Sequence, residues 1–239
     1  MRGRIYPLSM VIILLSVISG VLLIAILGNE GVTAVIENQG LQMQKTIVID
    51  AGHGGIDGGA TSCTGVLERD INLEIALKLN DLLHLLGYRT AMTRATQDSV
   101  ATEGHTIAAQ KVSDMKNRLK FVNSIEDSIF ISIHQNYFGN SKYHGAQVFY
   151  GTLDESKALA THMQSAFVQS LNPDSHRQIK RGDGIYLLEK LVCPAVLIEC
   201  GFLSNQTEEA LLRDKEYQNK LCAVIVSALG TYIRQNATA

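Results

Sequence analysis

The chain has 239 residues, of which 46% are hydrophobic, 18% are charged and only 3 are proline. This composition excludes a disordered or collagen-like chain, and the length fits one domain with an appendage. Lysine and arginine number 21 against 23 aspartates and glutamates, for a net charge of −2. Because a phosphate backbone demands a basic surface, this balance argues against nucleic acid as a partner.

The apolar residues are concentrated near the N-terminus. Residues 8–27 read LSMVIILLSVISGVLLIAIL and carry no charge. A helix of this length, at about 1.5 Å per residue, matches a hydrocarbon core of roughly 30 Å. Arg2 and Arg4 precede the segment, so the positive-inside rule places the N-terminus in the cytoplasm and the rest outside. We expect residues 1–30 to be a transmembrane anchor, with a cleaved signal sequence as the alternative.

Residues 31–44 have little periodicity and are interpreted as a linker before a globular domain at residues 45–239. In that domain, short apolar runs alternate with amphipathic stretches. The predicted strands, in chain order, are 45–50, 88–94, 128–134, 146–150, 184–188 and 194–199. The predicted helices are 70–86, 107–123, 156–171 and one or two within 207–234, with Thr207 as N-cap. This alternation predicts an α/β fold whose mostly parallel, twisted sheet is covered by helices on both faces.

The first predicted strand runs into a glycine-rich loop, DAGHGGIDGG, at residues 50–59. A dinucleotide fingerprint would need glycine where Asp57 stands, and a P-loop would need lysine where Ala60 stands. Neither nucleotide motif fits. The glycines instead allow the backbone to approach closely around one imidazole, that of His53.

Three further polar residues lie near the ends of predicted elements. Glu68 precedes the first helix, His134 ends the third strand, and Glu199 ends the strand opened by Pro194. Each alone has an ordinary structural explanation, but ligands of parallel sheets bind at the carboxyl ends of the strands. Two histidines and one carboxylate form a typical open zinc site, and a fourth group can serve as general base. The set predicts a metal-dependent hydrolase.

Four motifs in order, IDAGHGGIDGGA, Glu68, SIHQN and PAVLIECGFLSN, carry a family resemblance. Over about residues 45–234 the chain resembles the zinc-dependent N-acetylmuramoyl-L-alanine amidases of bacterial cell walls. The resemblance implies one Zn²⁺ held by His53, Glu68 and His134, with Glu199 as the catalytic carboxylate. It also implies peptidoglycan as the substrate and a catalytic domain that works outside the cytoplasm.

A further family pattern, TR…D…R…AN, is matched by Thr93, Arg94, Asp98, Arg118 and Asn123. We interpret these residues as mainly structural. Arg118 and Asn136 of the SIHQN motif are candidate substrate contacts. One residue departs from the family: Tyr137 stands where a small residue is usual, and a ring there would reshape the floor of the cleft.

The stretch KVSDMKNR at residues 111–118 and the single membrane-directing segment resemble the germination-specific spore-cortex amidases. That subgroup hydrolyses the amide between the lactyl group of muramic acid and L-alanine, the first step towards muramic-δ-lactam. In some relatives a lipoprotein assists the amidase. The alternatives are a vegetative cell-wall amidase, a zinc peptidase acting on the peptide stem, and a metal-free binding module.

The chain has four cysteines, at positions 63, 193, 200 and 222. An extracytoplasmic domain can form disulfides. Cys193 and Cys200, however, flank a predicted strand, and an extended chain holds them too far apart for a bridge. We therefore expect buried free thiols.

Overall fold

The computed structural model describes residues 45–236, which form a six-stranded sheet with six helices. The strands are β1 (Thr46–Ala51), β2 (Arg89–Met92), β3 (Ser128–Asn136), β4 (Gln147–Tyr150), β5 (Lys180–Arg181) and β6 (Ala195–Phe202). The helices are α1 (Glu68–Leu85), α2 (Ile107–Asn123), α3 (Asp154–Ser170), α4 (Tyr186–Lys190), α5 (Gln206–Arg213) and α6 (Lys215–Asn236).

The predicted anchor at residues 1–30, including the apolar run 8–27, and the predicted linker at 31–44 lie outside the described residues. Within residues 45–236, no helix combines the length and the apolar character that crossing a membrane requires.

The strand order is β2-β1-β3-β6-β4-β5. Strands β2, β1, β3 and β6 run parallel, whereas β4 is antiparallel to β6 and β5 is parallel to β4. The sheet is therefore mixed, with the predicted parallel arrangement in four neighbouring strands. Because β1, β3 and β6 are adjacent and parallel, their carboxyl ends meet at one edge of the sheet.

Successive side chains of the central strands belong to two separate cores. Ile47 and Ile49 of β1 pack in the larger core, to which α1, α3 and α6 contribute. Val48, between them, packs in a smaller core with residues of α2 and α4. Strand β3 alternates in the same way, with Ile131 in the larger core and Phe130 in the smaller one. This period of two places helices on both faces, so each central strand is an apolar run.

Two local predictions are wrong. The strand expected at 184–188 is instead the short helix α4. Leu187 and Leu188 are both buried in the smaller core, and a strand would have pointed them to opposite faces. The N-cap of α5 is Asn205 rather than Thr207, because the Asn205 side chain accepts hydrogen bonds from the amides of Thr207 and Glu208.

All four cysteines are free thiols, but the expectation that they are buried holds for only two of them. Cys200 and Cys222 are buried, Cys193 is half-buried and Cys63 is exposed. Burial raises the pKa of the Cys222 thiol to about 12, so this group is an inert part of the core.

Candidate metal centre

His53 follows β1 in a backbone conformation that side chains rarely adopt. Its φ is 62°, and the next two residues, Gly54 and Gly55, also have positive φ. The turn directs the imidazole towards the start of α1, where Nε2 of His53 lies 3.1 Å from Oε2 of Glu68. On its other side, Nδ1 lies 2.9 Å from Oδ2 of Asp57. The imidazole is therefore held between two carboxylates.

Glu68 is the first residue of α1, and its carboxylate joins the two histidines. Oε1 lies 3.0 Å from Nδ1 of His134 at the end of β3. The amides of Ala60 and Gln135 and the side chain of Asn72 also donate to this carboxylate. Burial opposes ionisation, but hydrogen bonds and charges of the two imidazoles outweigh it and hold the pKa of Glu68 far below its usual range.

The donor atoms of His53, Glu68 and His134 lie within 4.8 Å of one another and can hold a metal ion. Two glycines make room for them. A Cβ at Gly52 would lie 2.2 Å from Nε2 of His134, and one at Gly59 would lie 2.5 Å from Oε2 of Glu68. Two imidazole nitrogens and one carboxylate oxygen are ligands typical of an open zinc site.

Asp57 is not one of the three potential ligands but contacts one of them, His53. A carboxylate on the second nitrogen of an imidazole is the usual partner of a metal-bound histidine, since it orients the ring. Lys111 of α2 holds Asp57 in turn, with Nζ 2.8 Å from Oδ1. Burial alone would lower the pKa of His53, but Asp57 and Glu68 raise it to about 9. The same negative charges favour a cation at Nε2.

Glu199 lies on β6 directly opposite His134 in the β3–β6 register. Among the described residues, its Oε2 is a buried oxygen without a hydrogen-bond partner. Burial raises the pKa of Glu199 to about 7, an effect that the imidazole of His134 opposes and the charge of Glu68 reinforces. An unsatisfied buried carboxylate is costly, so its place beside three potential metal ligands indicates a functional group.

Arg118 has no exposed surface and is not placed to contact a substrate. Its guanidinium lies 2.5 Å from Oδ1 of Asp50 and 2.6 Å from Oδ2 of Asp114, and it donates to the carbonyl of His53. Burial would raise the pKa of Asp50, but the Arg118 charge and two hydroxyl donors hold it at about 2. Arg118 therefore fixes the backbone of the His53 loop.

Arg94 also supports the start of the His53 loop. It donates to the carbonyls of Ala51 and Gly52 at 2.8 and 2.9 Å, and to that of Arg69 in α1. Thr93 donates to Asp50. These residues of the TR…D…R…AN pattern have the structural role expected from the sequence.

Replacing Arg118 by methionine leaves Asp50 and Asp114 as uncompensated buried charges. We expect the free energy of unfolding to fall by about 3–5 kcal/mol, measured by urea denaturation. The matched control is Arg181→Met, since Arg181 pairs with Asp183 on the surface. That change should cost under about 1 kcal/mol. Equal losses for the two variants would contradict a buried ion-pair role for Arg118.

The sequence did not single out Asp57, Asn72 or Gln135 as parts of the site. Asn72 follows Glu68 by four residues, the helical spacing that places two side chains on one face. This spacing could have predicted that Asn72 lies beside Glu68. Asp57 stands four residues after His53 in the glycine loop. Asn136 lies half-buried at the end of β3, opposite Phe202 in the register, and its contact with substrate stays a prediction.

A cavity of about 250 Å³ opens beside the two imidazoles. It lies between the His53 loop, α2 and α4, and its walls are mainly apolar. Met115, Phe130 and Leu188 are among the residues that line it. The charged side chains of Asp57, Lys111 and Asp114 also line it.

Comparison with known proteins identifies relatives of the whole described domain. Residues 47–231 match a family model described as N-acetylmuramoyl-L-alanine amidase. A germination-specific N-acetylmuramoyl-L-alanine amidase of Bacillus subtilis (strain 168) is 37% identical over 193 residues, which are 80% of this chain and 81% of that protein. A probable cell wall amidase, LytH, of Staphylococcus aureus is 33% identical over 190 residues, covering 79% of this chain and 58% of that protein.

Solved structures show the same fold. The CwlD amidase from Clostridioides difficile, in complex with the GerS lipoprotein, is 40% identical with a TM-score of 0.77. The match covers 80% of this chain and 98% of that one. The catalytic domain of CwlV, an amidase from Bacillus (Paenibacillus) polymyxa, is 30% identical with a TM-score of 0.67, at 80% and 98% coverage.

Proposed function

Because this chain belongs to the N-acetylmuramoyl-L-alanine amidase family and is a hydrolase of that class, we propose that it acts on spore-cortex peptidoglycan. The bond cleaved joins the lactyl group of muramic acid to L-alanine of the peptide stem. Two similarities support the cortex role: the germination-specific relative of B. subtilis and the sporulation-type stretch at residues 111–118. The product, a muramic residue with a free lactyl carboxylate, is the substrate that lactam formation needs.

We assign one Zn²⁺ to His53, Glu68 and His134. The observation that carries this assignment is the grouping of their donor atoms within 4.8 Å, beside the unpartnered oxygen of Glu199. A zinc ion held by these three residues would supply Lewis acidity for the scissile carbonyl and would lower the pKa of a bound water towards about 7. Asp57 accepts a hydrogen bond from Nδ1 of His53 and so leaves Nε2, which lies beside Glu68, as the nitrogen that would bind the ion.

Glu199 acts as the general base. Its Oε2 has no other partner among the described residues and lies across the strand pair from His134. The carboxylate accepts a proton from the attacking water and then delivers it to the nitrogen of the leaving L-alanine. The amide C–N bond breaks, leaving a lactyl carboxylate and a free amine.

Digestion of purified peptidoglycan by the full chain tests this function. Cortex peptidoglycan should yield intact peptide stems and muramic residues with free lactyl carboxylates, identified by mass spectrometry. A zinc chelator should abolish the reaction. Trimmed stems with the sugar linkage intact would indicate a peptidase instead, and preferential cleavage of vegetative peptidoglycan would favour the vegetative alternative.

We further propose that residues 8–27 direct the catalytic domain to the outer side of the membrane and that a lipoprotein assists it there. The proposal about the membrane rests on the twenty uncharged residues and the preceding Arg2 and Arg4.

The proposal about the lipoprotein rests on the similarity to CwlD, whose structure contains the GerS lipoprotein. Zinc-loaded protein that digests cortex only after a purified lipoprotein is added would support the partnership.

A further inference from the structure

Three large aromatic side chains lie exposed on the segment that follows β3. Tyr137, Phe138 and Tyr143 are 53%, 53% and 46% exposed, and we call residues 137–143 the aromatic loop. Grouped exposed rings are uncommon on a soluble domain and usually mark a binding surface. Tyr137 is also the residue at which the sequence departs from the family pattern, and the catalytic mechanism does not use it.

Two rings of this loop, those of Phe138 and Tyr143, form a row with Phe202. The centroids of Phe138 and Tyr143 lie 4.9 Å apart at 85°, and Tyr143 stacks on Phe202 at 6.2 Å and 28°. On the Phe202 ring, the guanidinium carbon of Arg177 lies 4.6 Å from the centroid. Phe202 thus supports the ring of Tyr143, and Arg177 packs on Phe202.

Hydrogen bonds fasten the aromatic loop to the segment after β6. The amide of Phe138 donates to the hydroxyl of Ser204 at 3.2 Å. The side chain of Asn205 donates to the carbonyls of Ser141 and Tyr143, at 2.9 and 3.3 Å. The backbone of the loop is therefore fixed at these three residues before any ligand arrives, which reduces the entropy lost on binding.

The aromatic loop lies next to the candidate metal centre. His134 pairs with Glu199 in the β3–β6 register, and Asn136 pairs with Phe202. At about 3.3 Å per residue, Asn136, which directly precedes the aromatic loop, lies about 7 Å further along β3 than His134, and the β3–β6 register shifts between these two residues. The exposed rings do not line the cavity between α2 and α4, so they form a separate surface near the site.

The chemistry of the substrate decides which ligand fits an open aromatic row. The scissile amide is linked to a sugar through the lactyl ether, so the sugar chain must pass close to the site. A glycan strand continues in both directions, so it extends beyond a cavity of about 250 Å³ and must pass over neighbouring surface. The C–H faces of a pyranose pack on aromatic rings, while Asn140, Ser141 and Lys142 provide polar groups for its hydroxyls.

We propose that the aromatic loop is a glycan platform that holds the sugars flanking the muramic residue to be cleaved. The proposal rests on the proposed function, since it takes peptidoglycan as the substrate, and it adds the part of that polymer which the loop binds.

Binding to glycan strands freed of their peptide stems tests the platform. These strands contain no scissile amide, so the result is independent of catalysis and of the proposed amidase reaction. The full chain should bind them, and the double variant Tyr137→Ala/Phe138→Ala should bind about tenfold more weakly or worse, measured by calorimetry. The variant Phe138→Tyr, which keeps the ring, should retain binding.

Phe121→Ala is the matched control, because Phe121 is 38% exposed but lies on α2, away from the aromatic loop. It should leave glycan affinity unchanged. Circular dichroism checks that each variant is folded. Equal affinity of the double variant and the unaltered chain would overturn the proposal, as would a failure of the unaltered chain to bind. A double variant that loses only binding to a lipoprotein would assign the loop to a protein partner and would likewise overturn it.

Discussion

We expect Glu199→Gln to lower the rate of cortex peptidoglycan hydrolysis by about 10³-fold or more while the zinc content stays at that of the unaltered protein. Glutamine has the shape of glutamate but cannot accept a proton from water. Glu199 lies beside the three proposed ligands without belonging to the group whose donor atoms converge. The change should therefore separate catalysis from metal binding. The hydrolysis rate is measured from the muropeptides released, and the zinc content is measured by elemental analysis of the same preparation.

The control for this variant is Glu126→Gln, which removes a carboxylate from the exposed segment between α2 and β3. Both its hydrolysis and its zinc content should be unchanged. Normal hydrolysis by Glu199→Gln would remove the general-base role. Loss of zinc from Glu199→Gln would make this residue a ligand and would require a different base.

The second large effect is expected for His53→Ala. Removal of the His53 imidazole leaves only Glu68 and His134 as donors, which are too few for an open zinc site with three protein ligands. We expect zinc affinity to fall by more than about 100-fold, since even outer partners of metal ligands contribute 10- to 100-fold. Hydrolysis should be lost with the metal. Elemental analysis after dialysis and competition with a fluorescent zinc chelator measure the affinity.

His105→Ala is the matched control, because His105 is an exposed imidazole at the start of the α2 region. It should bind zinc and hydrolyse peptidoglycan normally. The His53→Ala variant should still give the circular dichroism spectrum of the folded chain, since the cores of the sheet do not include this side chain. Stoichiometric zinc in folded His53→Ala would exclude His53 from the metal centre.

Much of the fold could be predicted from local patterns. The apolar runs of β1, β3 and β6 and the period of α1 and α2 are properties of short segments, and the structure places each element within a few residues of its prediction. The strand predicted at 184–188 was wrong for an equally local reason. A short apolar run is compatible with a strand or a helix, and only the packing of Leu187 and Leu188 in one core decides between them.

The candidate site also has residues that could be predicted from the sequence and residues that could not. His53, Glu68, His134 and Glu199 could be selected from the sequence because each stands at the end of an element, and parallel strands bring such ends together. The partners of these residues could not be selected. Arg118 reaches Asp50 across 68 positions of sequence, so its burial depends on how α2 packs on the sheet.

By itself, the sequence determined the residues available for chemistry, the α/β alternation and the twenty-residue apolar segment, because residue type and spacing are local quantities. The tertiary structure alone decided that β4 and β5 reverse direction, that Arg118 supports the His53 loop from a position without solvent access, and that one oxygen of Glu199 is buried without a partner. These features arise from contacts between distant segments, and the distances between such segments exist only once the chain has folded.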